Sequence, residues 1–112
     1  MAVREQLSLA QITRREVDLY GGGDCANCRS YAILDDTNQI YAAVIIPNDR
    51  NWDKDGRAGY ITVMARVVGD YVIIEEDRSL DKPLVDALMI NGGIPREKII
   101  LAYKGEKLPE GA

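Results

Sequence analysis

The sequence contains no histidine and only two cysteines. Without an imidazole, neither a Ser-His nor a Cys-His nucleophilic pair can form, and no metal ion can be held by histidine. Many hydrolytic and metal-dependent chemistries are therefore excluded for this chain. We expect no catalytic residues, no metal ligands and no bound cofactor.

Long apolar runs are also missing. The run at residues 40–47 is far shorter than the roughly 20 residues that cross a bilayer. Charged residues interrupt the first 20 positions, unlike the continuous apolar core of a secretory signal. We therefore expect a cytoplasmic protein that does not associate with membranes.

Positive charge is in the minority. Fourteen Lys and Arg residues stand against 18 Asp and Glu residues, which leaves a net charge of −4. The basic residues are scattered, and such a surface repels phosphate backbones. Direct binding of nucleic acid is therefore disfavoured.

The two cysteines form a Cys-x-x-Cys unit, Cys25 and Cys28. This is half of a zinc site, and no second pair completes four ligands. The unit follows three glycines and precedes a strand, whereas a thioredoxin-type pair follows a strand and opens a helix. A structural or incidental role is favoured, with a metal shared across an oligomer and a redox role as alternatives.

The length of 112 residues suits one core, so we expect a single domain over residues 1–112. Apolar positions at three- and four-residue spacing predict an amphipathic helix over residues 2–19. The glycines at 21–23 end this helix and open the loop that holds the cysteines.

Four strands are predicted next, at residues 30–35, 39–46, 60–68 and 71–76. Turn-forming residues join the first two, and Gly69-Asp70 joins the last two as a tight hairpin. A long polar loop follows Pro47, because proline does not continue a central strand. The four strands are expected to form an antiparallel meander.

The third predicted strand alternates between two sets of side chains. The set expected to face the core is Ile61, Val63, Ala65 and Val67. The opposite set, expected on a semi-polar face that is free to meet a partner, is Tyr60, Thr62, Met64 and Arg66.

A second helix is predicted to begin near Asp81, as N-cap, with Pro83 in its first turn. Gly92-Gly93 end it, and residues 99–103 form a fifth strand. The predicted fold class is α+β, with a helix, a four-stranded antiparallel meander, a helix and a fifth strand. Both helices are expected to pack on one face of the sheet.

Trp52 lies in the polar loop and is either a lid on the core or an interface anchor. The tyrosines supply interface area or, as we favour, pack in the core with a wetted hydroxyl. We take the loop around Trp52 as the best candidate for a contact element.

Three stretches of the second half resemble one known family. They are residues 67–77, 81–84 and 93–103. In the XisI-like family of element-excision controlling factors, a strand and an acidic turn precede a helix, and a Gly-Ile-Pro turn leads into a final strand that ends in an aromatic residue. The positions of this chain that match the signature are Asp77, Pro83, Gly93, Ile94, Pro95 and Tyr103.

The resemblance implies an accessory protein of cyanobacteria and related bacteria that controls excision of a DNA element during heterocyst development. Family members are typically encoded beside a XisH-like partner whose fold is similar to that of restriction endonucleases. We therefore expect the chain to bind a XisH-like protein, or a second copy of itself, rather than to catalyse a reaction. The cysteine pair and the loop at residues 48–59 depart from the commoner family pattern.

An acidic cluster offers a different interpretation. Paired carboxylates can act as general acid and base or hold Mg²⁺, although acidic residues in a first helical turn also simply favour the helix dipole. The alternative to an interaction protein is thus a small metal-dependent hydrolase or a Cys-x-x-Cys redox protein. The members of the cluster are Glu75, Glu76, Asp77, Asp81 and Asp86.

Overall fold

The computed structural model describes residues 6–25, 27–48 and 59–112. The helices are α1 (Leu9–Asp18) and α2 (Leu84–Ile90). The strands are β1 (Asp24–Cys25), β2 (Cys28–Asp35), β3 (Ile40–Pro47), β4 (Tyr60–Val68), β5 (Tyr71–Asp77) and β6 (Ile99–Leu101). Among the described residues, no helix is long and apolar enough to cross a membrane.

The strands of the described residues form one sheet in the order β1 to β6. All neighbours are antiparallel except β5 and β6, which are parallel because α2 carries the chain back between them. The predicted α+β fold is confirmed: a helix, a meander from β2 to β5, a second helix and a final strand. The direction of the final strand and the short β1 were not predicted.

Helix α1 begins later than predicted, at Leu9 rather than at residue 2. The Ser8 hydroxyl accepts a hydrogen bond from the Gln11 amide at 3.1 Å, and the Gln11 side chain accepts one from the Ser8 amide at 2.8 Å. This reciprocal capping satisfies two amides that lack helical partners, so the helix begins here. The predicted positions 2–5 lie outside the described residues.

The two predicted hairpins are confirmed. In the turn between β2 and β3, the Asp35 carboxylate accepts from the Asn38 amide at 3.1 Å and from its side-chain amide at 2.8 Å. These hydrogen bonds lower the pKa of Asp35. Between β4 and β5, Gly69 adopts φ +57°, which the tight turn requires and glycine tolerates.

The predicted fifth strand, residues 99–103, ends early at Leu101. The Glu106 carboxylate accepts from the Leu101 amide at 2.8 Å, and the Leu101 carbonyl accepts from the Glu106 amide at 3.1 Å. These bonds satisfy the amide and the carbonyl of the last residue of β6, and the chain turns away from the sheet there. Tyr103 therefore lies in a 3-10 turn, Ala102–Lys104, not in a strand.

The core lies between the sheet and the two helices. Val17 of α1 and Leu84 and Leu88 of α2 are fully buried against it. Burying one such leucine contributes about 1.5–3 kcal/mol. The sheet residues of this cluster are Tyr41, Ala43, Val63, Ala65, Val67, Val72, Ile74, Ile99 and Leu101. Both helices thus pack on the same side, and the opposite side of the sheet carries no helix of the described chain.

Candidate interaction surface

The open face is the side of the sheet opposite α1 and α2. Residues that lie directly opposite one another in an antiparallel pair share one face. Such pairing joins Tyr31, Val44 and Ile61 into one row, and Ile33, Ala42 and Met64 into the next. Strands β2 to β4 therefore present two apolar rows. Their most exposed members are Tyr31 at 45%, Ile33 at 56% and Ile61 at 37%.

A β-bulge at Thr62 decides which residues of β4 belong to this face. Val63 lies opposite Ala43, but Ile61 lies opposite Val44, so Thr62 is the extra residue. Because the bulge shifts the alternation, Ile61 is exposed, and the prediction that it faces the core was wrong. The prediction was confirmed for Val63, Ala65 and Val67, which are buried.

A second bulge places two acidic residues on the same face. Met64 lies opposite Glu76 and Ala65 lies opposite Ile74, which leaves Glu75 as the extra residue. The Arg66 guanidinium donates to the Glu75 carboxylate at 2.6 Å, and both side chains are partly buried. The charges of Arg66 and Glu75 therefore neutralise each other on this face.

Tyr60 and Arg78 add an aromatic contact at the end of β4. The Arg78 guanidinium carbon lies 5.6 Å from the centre of the Tyr60 ring, within the range of a cation–π contact. The same guanidinium lies 3.9 Å from the Glu76 carboxylate. Tyr60 is opposite Ile45, the neighbour of Val44 in β3, so it lies on the side of the sheet that carries the helices. The bulge thus removes Tyr60 from the open face, where the sequence pattern had placed it.

The structure brings some of the predicted partner-binding residues together and separates others. Met64 and Arg66 lie on the open face, but they are half-buried, as is Thr62. Trp52 lies outside the described residues, as does most of its loop. Sequence reasoning missed Tyr31 and Ile33, which alternate with the less exposed Ser30, Ala32 and Leu34 along β2. That alternation separates the two sets of side chains, but it does not say which set faces water.

The acidic cluster does not converge on one point. Glu75 is held by Arg66, and Asp77 turns toward the start of α2. Asp81 and Asp86 line a groove between the helices instead. Among the described residues, no group of three or more His, Cys, Asp or Glu side chains could hold a metal ion.

Asp77 caps helix α2 from a distance. Its carboxylate accepts from the Leu84 amide at 2.8 Å, and its other oxygen accepts from the Ser79 amide at 2.9 Å and from the Ser79 hydroxyl. Pro83 is the N-cap residue, and the prediction of Asp81 as N-cap was wrong. Proline offers no side-chain acceptor, so the cap comes from the end of β5.

The other signature positions shape the return from α2 to β6. Gly93 adopts φ +67°, and Ile94 inserts into the core, where it is almost fully buried. The Pro95 carbonyl accepts from the Lys98 amide at 3.0 Å and opens the 3-10 turn before β6. Tyr103 packs against the core, and burial, followed by the charge of Asp77, raises its pKa. The signature thus marks the crossover connection and not a pocket for chemistry.

Cys28 begins β2 and pairs across the sheet edge with the backbone of Cys25. Its side chain is buried and disulfide-bonded. A disulfide-bonded sulfur is not a thiolate ligand for a metal ion. This state is compatible with both the structural and the redox interpretation of the pair.

Two solved structures from Anabaena variabilis are similar to this chain. One, described as a XisI-like protein, superposes with a TM-score of 0.65 at 16% identity and covers 82% of this chain and 81% of its own. The other, described as the fdxN element excision controlling factor XisI, gives a TM-score of 0.52 at 23% identity over 81% of this chain and 77% of its own. No family model and no curated protein matches the chain. The chain therefore has the fold of the XisI-like proteins, as the resemblance of its second half predicted.

Proposed function

We propose that the chain is a cytoplasmic accessory protein that controls the excision of a DNA element during heterocyst development. It does so by binding a XisH-like protein through the open face. It acts by contact with another protein and not by catalysis or direct binding of DNA. The observation that carries the proposal is the exposed apolar row formed by Tyr31, Val44 and Ile61. One neighbour of the same fold is named as a controlling factor, which supports a regulatory role.

The size of the open face suits a protein partner. Strands lie about 4.8 Å apart and advance about 3.3 Å per residue, so the three strands β2 to β4, of about eight residues each, make a face of about 14 Å by 26 Å. On β5 the same side is closed, because Ile73, opposite Arg66, is fully buried. The face is roughly 370 Å² in projection, about half of the roughly 800 Å² that each partner buries in a standard interface. A small ligand would leave most of this area in water.

The chemistry of the face also favours a partner. Exposed Tyr31 and Ile33 can anchor in pockets of another protein, where buried aromatic and large apolar side chains supply most of the binding energy. The nearby charges of Arg66 and Glu75 already form an ion pair. Covering that pair does not leave a lone charge without a counterion, which would be the larger cost.

A second copy of the chain is the other candidate for the same face. An isologous dimer places each residue near its own copy or near a symmetry partner. Because Arg66 is paired with Glu75 within one chain, these two charges keep their counterions when two such faces meet. The molar mass of the chain alone, measured by light scattering, distinguishes a homodimer from a monomer whose open face is available to a different protein.

The test is co-expression with the XisH-like protein encoded beside the gene, followed by size-exclusion chromatography. We expect the two proteins to elute together, and we expect Ile33→Asp to abolish co-elution because it buries an unpaired charge in the contact. Leu80→Asp is the matched control, since Leu80 is almost fully exposed in the turn before α2 and lies outside the apolar rows. Circular dichroism checks that both variants are folded. Separate elution of the unmodified proteins, or co-elution of Ile33→Asp, contradicts the proposal.

A further inference from the structure

Helices α1 and α2 run antiparallel and leave a groove of about 350 Å³ between them. At one end the Tyr20 hydroxyl donates to the Lys82 carbonyl, and at the other the Arg15 guanidinium donates to the Asn91 carbonyl at 3.3 Å. The groove therefore follows the whole of α2, which at seven residues is about 10 Å long. About three residues of an extended peptide span that length.

The side chains at the edges of the groove are apolar and exposed. Leu19, at the end of α1, is 72% exposed, and Ile90, at the end of α2, is 81% exposed. Pro83 and Ala87 line the groove between them. Neither Leu19 nor Ile90 belongs to the core cluster, so core packing does not explain them. Apolar side chains grouped along a groove are typical of a binding site.

The charge of the groove is negative and partly unpaired. Asp81 and Asp86 line it, and neither carboxylate makes a hydrogen bond or ion pair with a described residue. Glu16 differs, because it is buried and accepts from Arg15 at 2.9 Å and from the Asn91 side chain at 3.1 Å. These two carboxylates are thus available to bind a cation of another molecule. The groove is lined by one lysine, Lys82, so its net charge is negative.

The raised pKa of Tyr20 is a second indication of negative charge at the groove. Burial first, and then the charges of Asp77, Glu16 and Asp86, together raise the pKa of Tyr20 to about 12. The same charges that oppose a tyrosinate anion attract a cation placed beside it. They also repel phosphate groups, which disfavours nucleic acid as the occupant.

We propose that this groove binds a short segment of a partner protein in which large apolar side chains are flanked by Lys or Arg. The apolar side chains pack between Leu19 and Ile90, and the flanking cations bind Asp81 and Asp86. The site lies on the helix layer, opposite the open face, and it does not depend on the function proposed for that face.

The probe for the test is a fluorescein-labelled peptide, Gly-Arg-Leu-Leu-Lys-Gly, whose binding to the full chain is measured by fluorescence anisotropy. We expect saturable binding that weakens as salt is raised, because the contacts are partly ionic. The charge-reversed peptide, Gly-Glu-Leu-Leu-Glu-Gly, is expected not to bind. Asp86→Asn should weaken binding of the basic peptide about tenfold, through loss of one charge-assisted contact.

Asp70→Asn is the matched control, since Asp70 is an exposed acidic residue in the turn between β4 and β5, away from the groove. It should leave the affinity unchanged, as should Ile33→Asp on the open face. No saturable binding of the basic peptide, or equal binding of the charge-reversed peptide, overturns the proposal. Equal weakening by Asp70→Asn and Asp86→Asn, or loss of binding in Ile33→Asp, overturns it as well.

Discussion

The carboxylate of Asp77 accepts a hydrogen bond from the amide of Leu84 at 2.8 Å, across the turn that separates β5 from α2. The last residue of a strand thereby provides the cap that Pro83 cannot give to the helix. Leu84 is fully buried against the sheet, so this bond ties the start of α2 to the core. The helix layer, including the groove, is held in position from the sheet.

Asp77→Ala should lower the free energy of unfolding by about 1–2 kcal/mol, the usual effect of removing a helix cap. The variant also loses the hydrogen bonds to Ser79 that order the turn. Urea denaturation measures the change. Asp81→Ala, at the position that the sequence suggested as the cap, should change stability by less than about 0.5 kcal/mol. Equal effects of the two substitutions would show that the cap does not matter.

Gly93→Ala should destabilise the protein by about 1–2 kcal/mol, because Gly93 adopts φ +67° and an L side chain is strained there. A Cβ atom at this position would meet nothing within 4 Å, so the effect comes from the backbone alone. Gly23→Ala is the control, since its Cβ would also meet nothing and its φ is not positive. Thermal unfolding should show a lower midpoint for Gly93→Ala only.

The raised pKa of Tyr20 predicts a loss of stability in alkaline solution. The folded-state pKa is about 12 and the ordinary value is 10.0, so the unfolded chain releases this proton first as the pH rises. The contribution is fully present below pH 10 and is lost between pH 10 and about 12. Urea midpoints across this window should fall less steeply for Tyr20→Phe than for the unmodified chain. An identical slope would show that Tyr20 titrates normally.

The sequence predicted those parts of the fold that depend on local patterns. The alternation of β4 and the turn at Gly69 identified a hairpin, because a period of two and a tight turn are local properties. The start of α1 was missed although the signal was present, since Ser8 and Gln11 have the spacing of a capping box. The parallel direction of β6 depends on where α2 returns the chain, which no local pattern records.

The candidate surface was predicted less well, for a physical reason. The bulge at Thr62 exchanges the faces of the residues before it, and nothing in the composition of β4 marks where the extra residue falls. Ile61 was therefore assigned to the core although it is exposed. Tyr31 and Ile33 lie in a strand whose alternation was visible, but the face toward water became identifiable only once the helices were placed.

The bulge at Thr62 also allows the register between β3 and β4 to be tested. The Thr62 hydroxyl is buried and has no hydrogen-bond partner among the described residues. Replacing a buried hydroxyl that lacks a partner with a methyl group of similar shape removes a desolvation cost, so Thr62→Val should raise the free energy of unfolding by about 1 kcal/mol. Chemical denaturation measures this gain.

Thr13→Val is the matched control for Thr62→Val, because the buried Thr13 hydroxyl donates to the Leu9 carbonyl at 2.7 Å. Losing that bond should lower stability by about 0.5–1 kcal/mol, so the same chemical change is expected to have opposite signs at the two positions. Destabilisation by both substitutions would mean that the Thr62 hydroxyl does have a partner. The bulge would then orient that hydroxyl toward a hydrogen bond, and the side-chain positions inferred for the neighbouring part of the open face would have to be revised.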